Sequence, residues 1–112
     1  MAGKIDTLYG PAALSNTYTT NIWVPPASTV DNIVRHIHVA NKTGGAVTFR
    51  IFMGATGGNA AGTELFYDYS VAATSAYDWY GLLRLTSTTF LVGGASAATS
   101  LTITIMGEKV AV

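Results

Sequence analysis

The chain has no cysteine among its 112 residues, which excludes disulfides and thiolate-ligated metal sites. Charge is also scarce. Lys, Arg, Asp and Glu make up 11% of the residues, against about 25% in an ordinary soluble domain. Six basic residues balance six acidic ones, and without a basic run the electrostatic footprint of a nucleic-acid binder is missing. No apolar run approaches the roughly 20 residues of a membrane-spanning helix. Met1-Ala2-Gly3-Lys4-Ile5-Asp6 lacks the apolar stretch of a signal peptide. The expectation is a protein made in the cytoplasm, which leaves it only aboard a particle. No segment sustains a 3.6-residue period, and Thr and Val, frequent here, form helices poorly. No internal repeat is visible.

What is present is apolar and β-branched. The hydrophobic fraction is 49%, enough for one core in a single domain. Aromatic and β-branched residues without a charge block argue against disorder. The surface falls to Thr, Ser, Gly and Ala, and a coat so poor in like-charge repulsion lets copies associate. A domain this small buries only about 60–68% of its unfolded surface, so contacts with neighbours would add stability.

Period-two alternation marks the strands. Over Thr17 to Val24, Tyr18, Thr20, Ile22 and Val24 share one face and Trp23 lies on the other, before Pro25-Pro26 ends the ladder. Over Val30 to Ala40, Ile33, Ile37 and Val39 oppose Val34, His36 and His38. The turn-forming run Asn41 to Gly45 leads into Ala46 to Met53, where Val47, Phe49, Ile51 and Met53 alternate with Thr48, Arg50 and Phe52. These two segments read as a β-hairpin. Gly54 to Gly62 has no period and reads as a long loop. In Thr63 to Val71, Leu65, Tyr67, Tyr69 and Val71 face together, with Phe66 opposite. Ala72 to Asp78 reads as a connection, followed by short strands at Trp79 to Leu85 and Thr89 to Val92 and a last strand at Ser100 to Met106. The tail Glu108 to Val112 continues it past a bulge at Gly107. Seven or eight strands in one domain predict an antiparallel β-sandwich, jelly-roll-like, over residues 17–112. Residues 1–16 read as an N-terminal arm.

Chemistry-bearing patterns are few. His36 and His38 are two apart, so they share a strand face and could chelate a metal. Only scattered carboxylates, such as Asp31, Glu64 and Asp68, offer further ligands, and no metal or cofactor is expected. The Gly54 to Gly62 loop lacks the Lys-Ser/Thr and following helix of a phosphate loop. No Gly-x-Ser-x-Gly elbow occurs and nothing pairs a nucleophile with a base, so no catalytic residue and no enzyme is expected. Aromatics on the polar side of their strands carry more information. Trp23, Phe52, Phe66 and Tyr80 fall there, and with His36 and His38 they are the interface candidates. A covering loop or arm, or a bulge that flips the register, would instead turn these rings inward.

From Ile22 to Val112, about four-fifths of the chain, the sequence resembles a widespread kind of small bacteriophage virion protein. The resemblance rests on the order of Ile22-Trp23-Val24-Pro25-Pro26, Ile33-Val34-Arg35-His36-Ile37-His38-Val39-Ala40-Asn41, Ala46-Val47-Thr48-Phe49, Gly81-Leu82-Leu83 and Ala97-Ala98-Thr99-Ser100-Leu101-Thr102-Ile103-Thr104-Ile105-Met106-Gly107-Glu108-Lys109-Val110. The chain departs from it at Thr86-Ser87-Thr88-Thr89, where relatives often carry a Pro-Gly-Asp turn. The resemblance implies a capsid decoration (cement) or minor capsid protein located in the virion. Its partners would be copies of itself, favouring a trimer, and the major capsid protein, without direct contact to nucleic acid or membrane. The alternatives are a tail or baseplate subunit, or a carbohydrate-binding module whose rings stack on a surface glycan.

Overall fold

The computed structural model describes residues 5–26 and 30–111. Eight strands form: β1 (Ile5–Ala13), β2 (Asn21–Trp23), β3 (Val30–Asn41), β4 (Val47–Gly54), β5 (Glu64–Val71), β6 (Ala76–Leu85), β7 (Phe90–Ala95) and β8 (Leu101–Ala111). They make two four-stranded sheets, ordered β1-β8-β3-β6 and β2-β7-β4-β5, with every pair antiparallel. Strands β1 and β8, β2 and β7, β3 and β6, and β4 and β5 lie side by side. The chain is thus one long hairpin, closed at β4–β5 and rolled so that β3 meets β8 and β4 meets β7. This is the jelly-roll arrangement expected within the antiparallel sandwich.

The core lies between the sheets. Val34, Ile37 and Val39 of β3, Ile103 and Ile105 of β8, Phe49 and Ile51 of β4 and Leu91 of β7 are fully buried. Alternation places most of them, as the sequence predicts, and bulges place the rest. Val34 lies on the core side because β3 carries a register shift between Val34 and His36, with Arg35 as the extra residue against β8. The predicted bulge at Gly107 therefore sits on the partner strand instead. Strand β5 is shifted opposite Arg50, where Asp68 takes φ 50°. Phe66 and Tyr69, three residues apart, consequently both turn toward Phe49, Tyr69 remaining 40% exposed at the open side, while Leu65 and Tyr67 stay outside.

Two connections differ from their sequence reading. The segments at Val30 to Ala40 and Ala46 to Met53 do not pair as a hairpin; they lie in opposite sheets. Both bury a face in one core, and the turn between them is a corner from sheet to sheet. Asn41, 2% exposed, pins this corner. Its amide donates to the carbonyls of Gly45 at 2.9 Å and Val71 at 3.0 Å, and its Oδ1 accepts from the Thr43 N–H at 2.9 Å. The proposed arm does not stand apart from the sandwich either. Ile5–Ala13 is strand β1, paired along β8, while residues 1–4 lie outside the described residues. Thr86-Ser87-Thr88-Thr89 closes without proline or glycine, since the Thr86 hydroxyl accepts the N–H groups of Thr88 at 3.3 Å and Thr89 at 3.0 Å.

The segment 14–20 seals one side of β7. Ser15 and Thr20 accept the N–H groups of Ala95 at 2.7 Å and Gly93 at 2.9 Å. At Gly94 a β-carbon would lie 2.7 Å from the Ser15 carbonyl oxygen, closer than real side chains approach. The chain can pass there only over glycine.

Candidate assembly edge and histidine cluster

The sandwich has two open sides, one bounded by β1 and β2, the other by β5 and β6. Among the described residues, the exposed large apolar side chains are Ile5, Val24, Leu65, Tyr67, Tyr69, Tyr80 and Leu82. Five of these seven belong to β5 or β6. Tyr80 is 72% and Leu82 63% exposed. Neither strand contains Lys or Pro, the residues that commonly blunt an edge. Behind the edge the rings of Phe49, Phe66, Tyr69 and Tyr77 stand in mutual contact, the closest pair being Tyr69 and Tyr77 at 4.3 Å. Burial and the Tyr69 neighbour raise the Tyr77 hydroxyl pKa above its ordinary value. Trp79 lies over the backbone at Gly81, where any side chain would meet its ring.

The predicted interface rings separate into three groups. Phe66 is internal because of the Asp68 bulge; its ring lies 5.3 Å from Phe49. Phe52 is also internal, 3% exposed, despite lying on the outer side of β4. It sits directly opposite Val92, itself buried. The loop after β4 returns across β7 on this side, with the Gly57 N–H donating to Asn21 Oδ1 at 3.1 Å. Trp23 is half-buried, packed on the core edge and stacked on Tyr9 at 6.4 Å. Of the four rings, only Tyr80 is largely exposed.

On the outer side of β5, Arg50 pairs with Asp68 through Nε at 2.7 Å and Nη2 at 3.2 Å. Its guanidinium lies 4.3 Å from the Tyr18 ring centre and 4.1 Å from that of Tyr67. The Arg50 hydrogen bonds hold the Asp68 carboxyl below the usual carboxylate range.

His36 and His38 both point outward from the central strand β3, and register puts Asp78 opposite His38 and Tyr80 opposite His36. Asp78 Oδ1 accepts from His36 Nε2 at 2.7 Å and from His38 Nδ1 at 2.6 Å. His38 and then His36 hold the Asp78 carboxyl below its ordinary pKa. The Tyr80 ring stacks on His36, 4.5 Å away and 9° from parallel. The ligand-capable atoms of His36, His38 and Asp78 all lie within 4.8 Å of one another. Asp31, Glu64 and Asp68 do not join them: Asp31 pairs with Arg84, Asp68 pairs with Arg50, and Glu64 caps the Gly62 N–H. Sequence reading placed Asp78 at the end of a connection, on the same face as Tyr80 but with no partner strand; recognising that β6 begins at Ala76 and pairs with β3 would have found it.

Comparison with known proteins yields no relative: no family model matches the chain, and no curated protein or solved structure matches it.

Proposed function

We propose that the chain is a virion structural protein, of the capsid decoration or minor capsid type, which self-associates through the side of the sandwich formed by β5 and β6. The observation that carries the reading is that, among the described residues, five of the seven exposed large apolar side chains lie on these two edge strands. Unpaired backbone groups along β6 and the adjacent Tyr80 and Leu82 suit strand pairing with a second copy of the chain. Each large side chain fully buried there would contribute on the order of 1.5–3 kcal/mol. With a net charge of zero, little long-range repulsion opposes the approach. Contacts repeated around a closed ring and across a shell lattice would add by avidity. The trimer and the major capsid protein as second partner come from the sequence resemblance. Jelly rolls serve many functions, so the fold favours no partner by itself.

Light scattering on a size-exclusion column tests the association. The expected mass is a small multiple of the chain, three being favoured, and Leu82→Glu should return it to one. A wild-type monomer at every concentration would remove the assembly reading. Purified particles from producing cells should contain the chain in fixed stoichiometry, and its absence from them would remove the virion assignment while leaving self-association standing.

A further inference from the structure

The geometry points to a binding site for a divalent transition-metal ion, with Zn2+ as its representative, formed by His36 Nε2, His38 Nδ1 and Asp78 Oδ1 on the outer face of β3 and β6. Two imidazole nitrogens and one carboxylate oxygen suit Zn2+, Co2+, Ni2+ or Cu2+, whereas Ca2+ and Mg2+ prefer sets of oxygens. Strand β3 is paired on both sides, to β8 and β6, so ladders fix the backbone that carries both histidines. The stacked Tyr80 restrains the plane of the His36 ring. The side chains of His36, His38 and Asp78 are 21%, 38% and 38% exposed, which leaves an ion an open approach from solvent.

The three groups already converge. Asp78 Oδ1 lies 2.7 Å and 2.6 Å from the two ring nitrogens. An ion about 2.0–2.2 Å from each ligand would set these atoms about 3.3–3.6 Å apart in a tetrahedron. Small rotations of the Asp78 carboxylate and the two rings supply that change. Each neutral ring that donates to Asp78 would move its proton to the other nitrogen, freeing the lone pair that faces the ion. Water would take the fourth position. No arginine competes for Asp78: Arg84 pairs with Asp31 at 2.8 Å, Arg35 with Glu108 at 3.4 Å and Arg50 with Asp68 at 2.7 Å. With neutral rings the cluster carries one negative charge, which a divalent cation reverses. The site lies within one chain and does not depend on the assembly reading.

Calorimetric titration of the untagged full chain with Zn2+, supported by Co2+ visible absorption, tests the site. One equivalent per chain is expected, weakened at least tenfold by His38→Gln and by Asp78→Asn, because losing a ligand should cost at least as much as losing its outer partner. Circular dichroism checks that the variants keep their strands. In wild-type protein, Zn2+ should shift the ring-nitrogen resonances of His36 and His38, the chain's two histidines, together with the Asp78 carboxyl signal and before any other carboxylate signal. Absence of binding, binding undiminished in both folded variants, or shifts confined to other carboxylates would overturn the site.

Discussion

The two open sides of the sandwich are built in opposite ways. Beside β1 and β2 the edge is interrupted and covered. Strand β2 has three residues, Trp23 stacks on Tyr9, and the segment 14–20 closes over Gly94. Beside β5 and β6 the strands run for eight and ten residues and carry exposed Tyr and Leu side chains along their length. Both sides face the same solvent in an isolated chain. One edge is covered by the chain's own segments, whereas the other leaves Leu65, Tyr67, Tyr80 and Leu82 exposed, the surface that the proposed self-association would cover.

The contrast can be broken from the inside. Phe49, fully buried, holds the Phe66, Tyr69 and Tyr77 rings to the core. Phe49→Ala should cost about 3–5 kcal/mol in urea unfolding and loosen the β5–β6 side first; a loss below 1 kcal/mol would show that these rings pack independently of it. Truncating one side chain on each edge sharpens the comparison. Trp23→Ala should cost about 2–3 kcal/mol, below the value for a fully buried ring, without changing oligomeric mass. Leu82→Ser should change the stability of the dissociated chain by at most about 0.5 kcal/mol yet lower that mass. Equal effects at the two positions would erase the distinction. Gly94→Ala forces a methyl group against the Ser15 carbonyl and should cost about 1–2 kcal/mol, in the range of overpacked sites, again with the mass unchanged.

The smallest effect concerns the Arg50–Asp68 pair on the outer side of β5. Arg50 lowers the folded-state pKa of Asp68, so the pair stabilises the fold above the unfolded carboxyl's pKa of about 4. That contribution is lost as pH falls through the lower folded value. Thermal midpoints of wild type and Arg50→Gln should therefore differ at pH 7 and draw together below about pH 4. A gap that widens in acid would contradict the assignment. Both groups are solvent-accessible, so screening by salt should shrink the difference as well.

Alternation made the strands legible in the sequence wherever it ran unbroken: Val47, Phe49 and Ile51, or Leu101, Ile103 and Ile105, point where period two puts them. It failed where one extra residue intervened. Nothing in Val34-Arg35-His36 announces a bulge, because Arg is an ordinary strand residue and the shift shows only in the pairing of β3 with its neighbours β8 and β6. Asp68 is a better signal, since Asp tolerates positive φ, but only the packing of both Phe66 and Tyr69 against Phe49 favours that conformation. The hairpin expected at Asn41 to Gly45 became a corner for a tertiary reason: its turn residues fit either geometry, and the carbonyls that Asn41 satisfies include one from β5. Strand β1 was faint because Gly10-Pro11 interrupts its pattern. The histidine pair could be read directly from spacing two, whereas its third member, forty residues along in the chain from His38, required the pairing of β3 with β6.

Hydrogen exchange at two protein concentrations compares the edges most directly. Amides of β6 should become slower to exchange as concentration rises through the association range, while those of β1 and β2 keep their rates. Protection of β1 and β2 instead, or exchange along β6 that ignores concentration altogether, would contradict the claim that this long apolar edge is where copies of the chain meet.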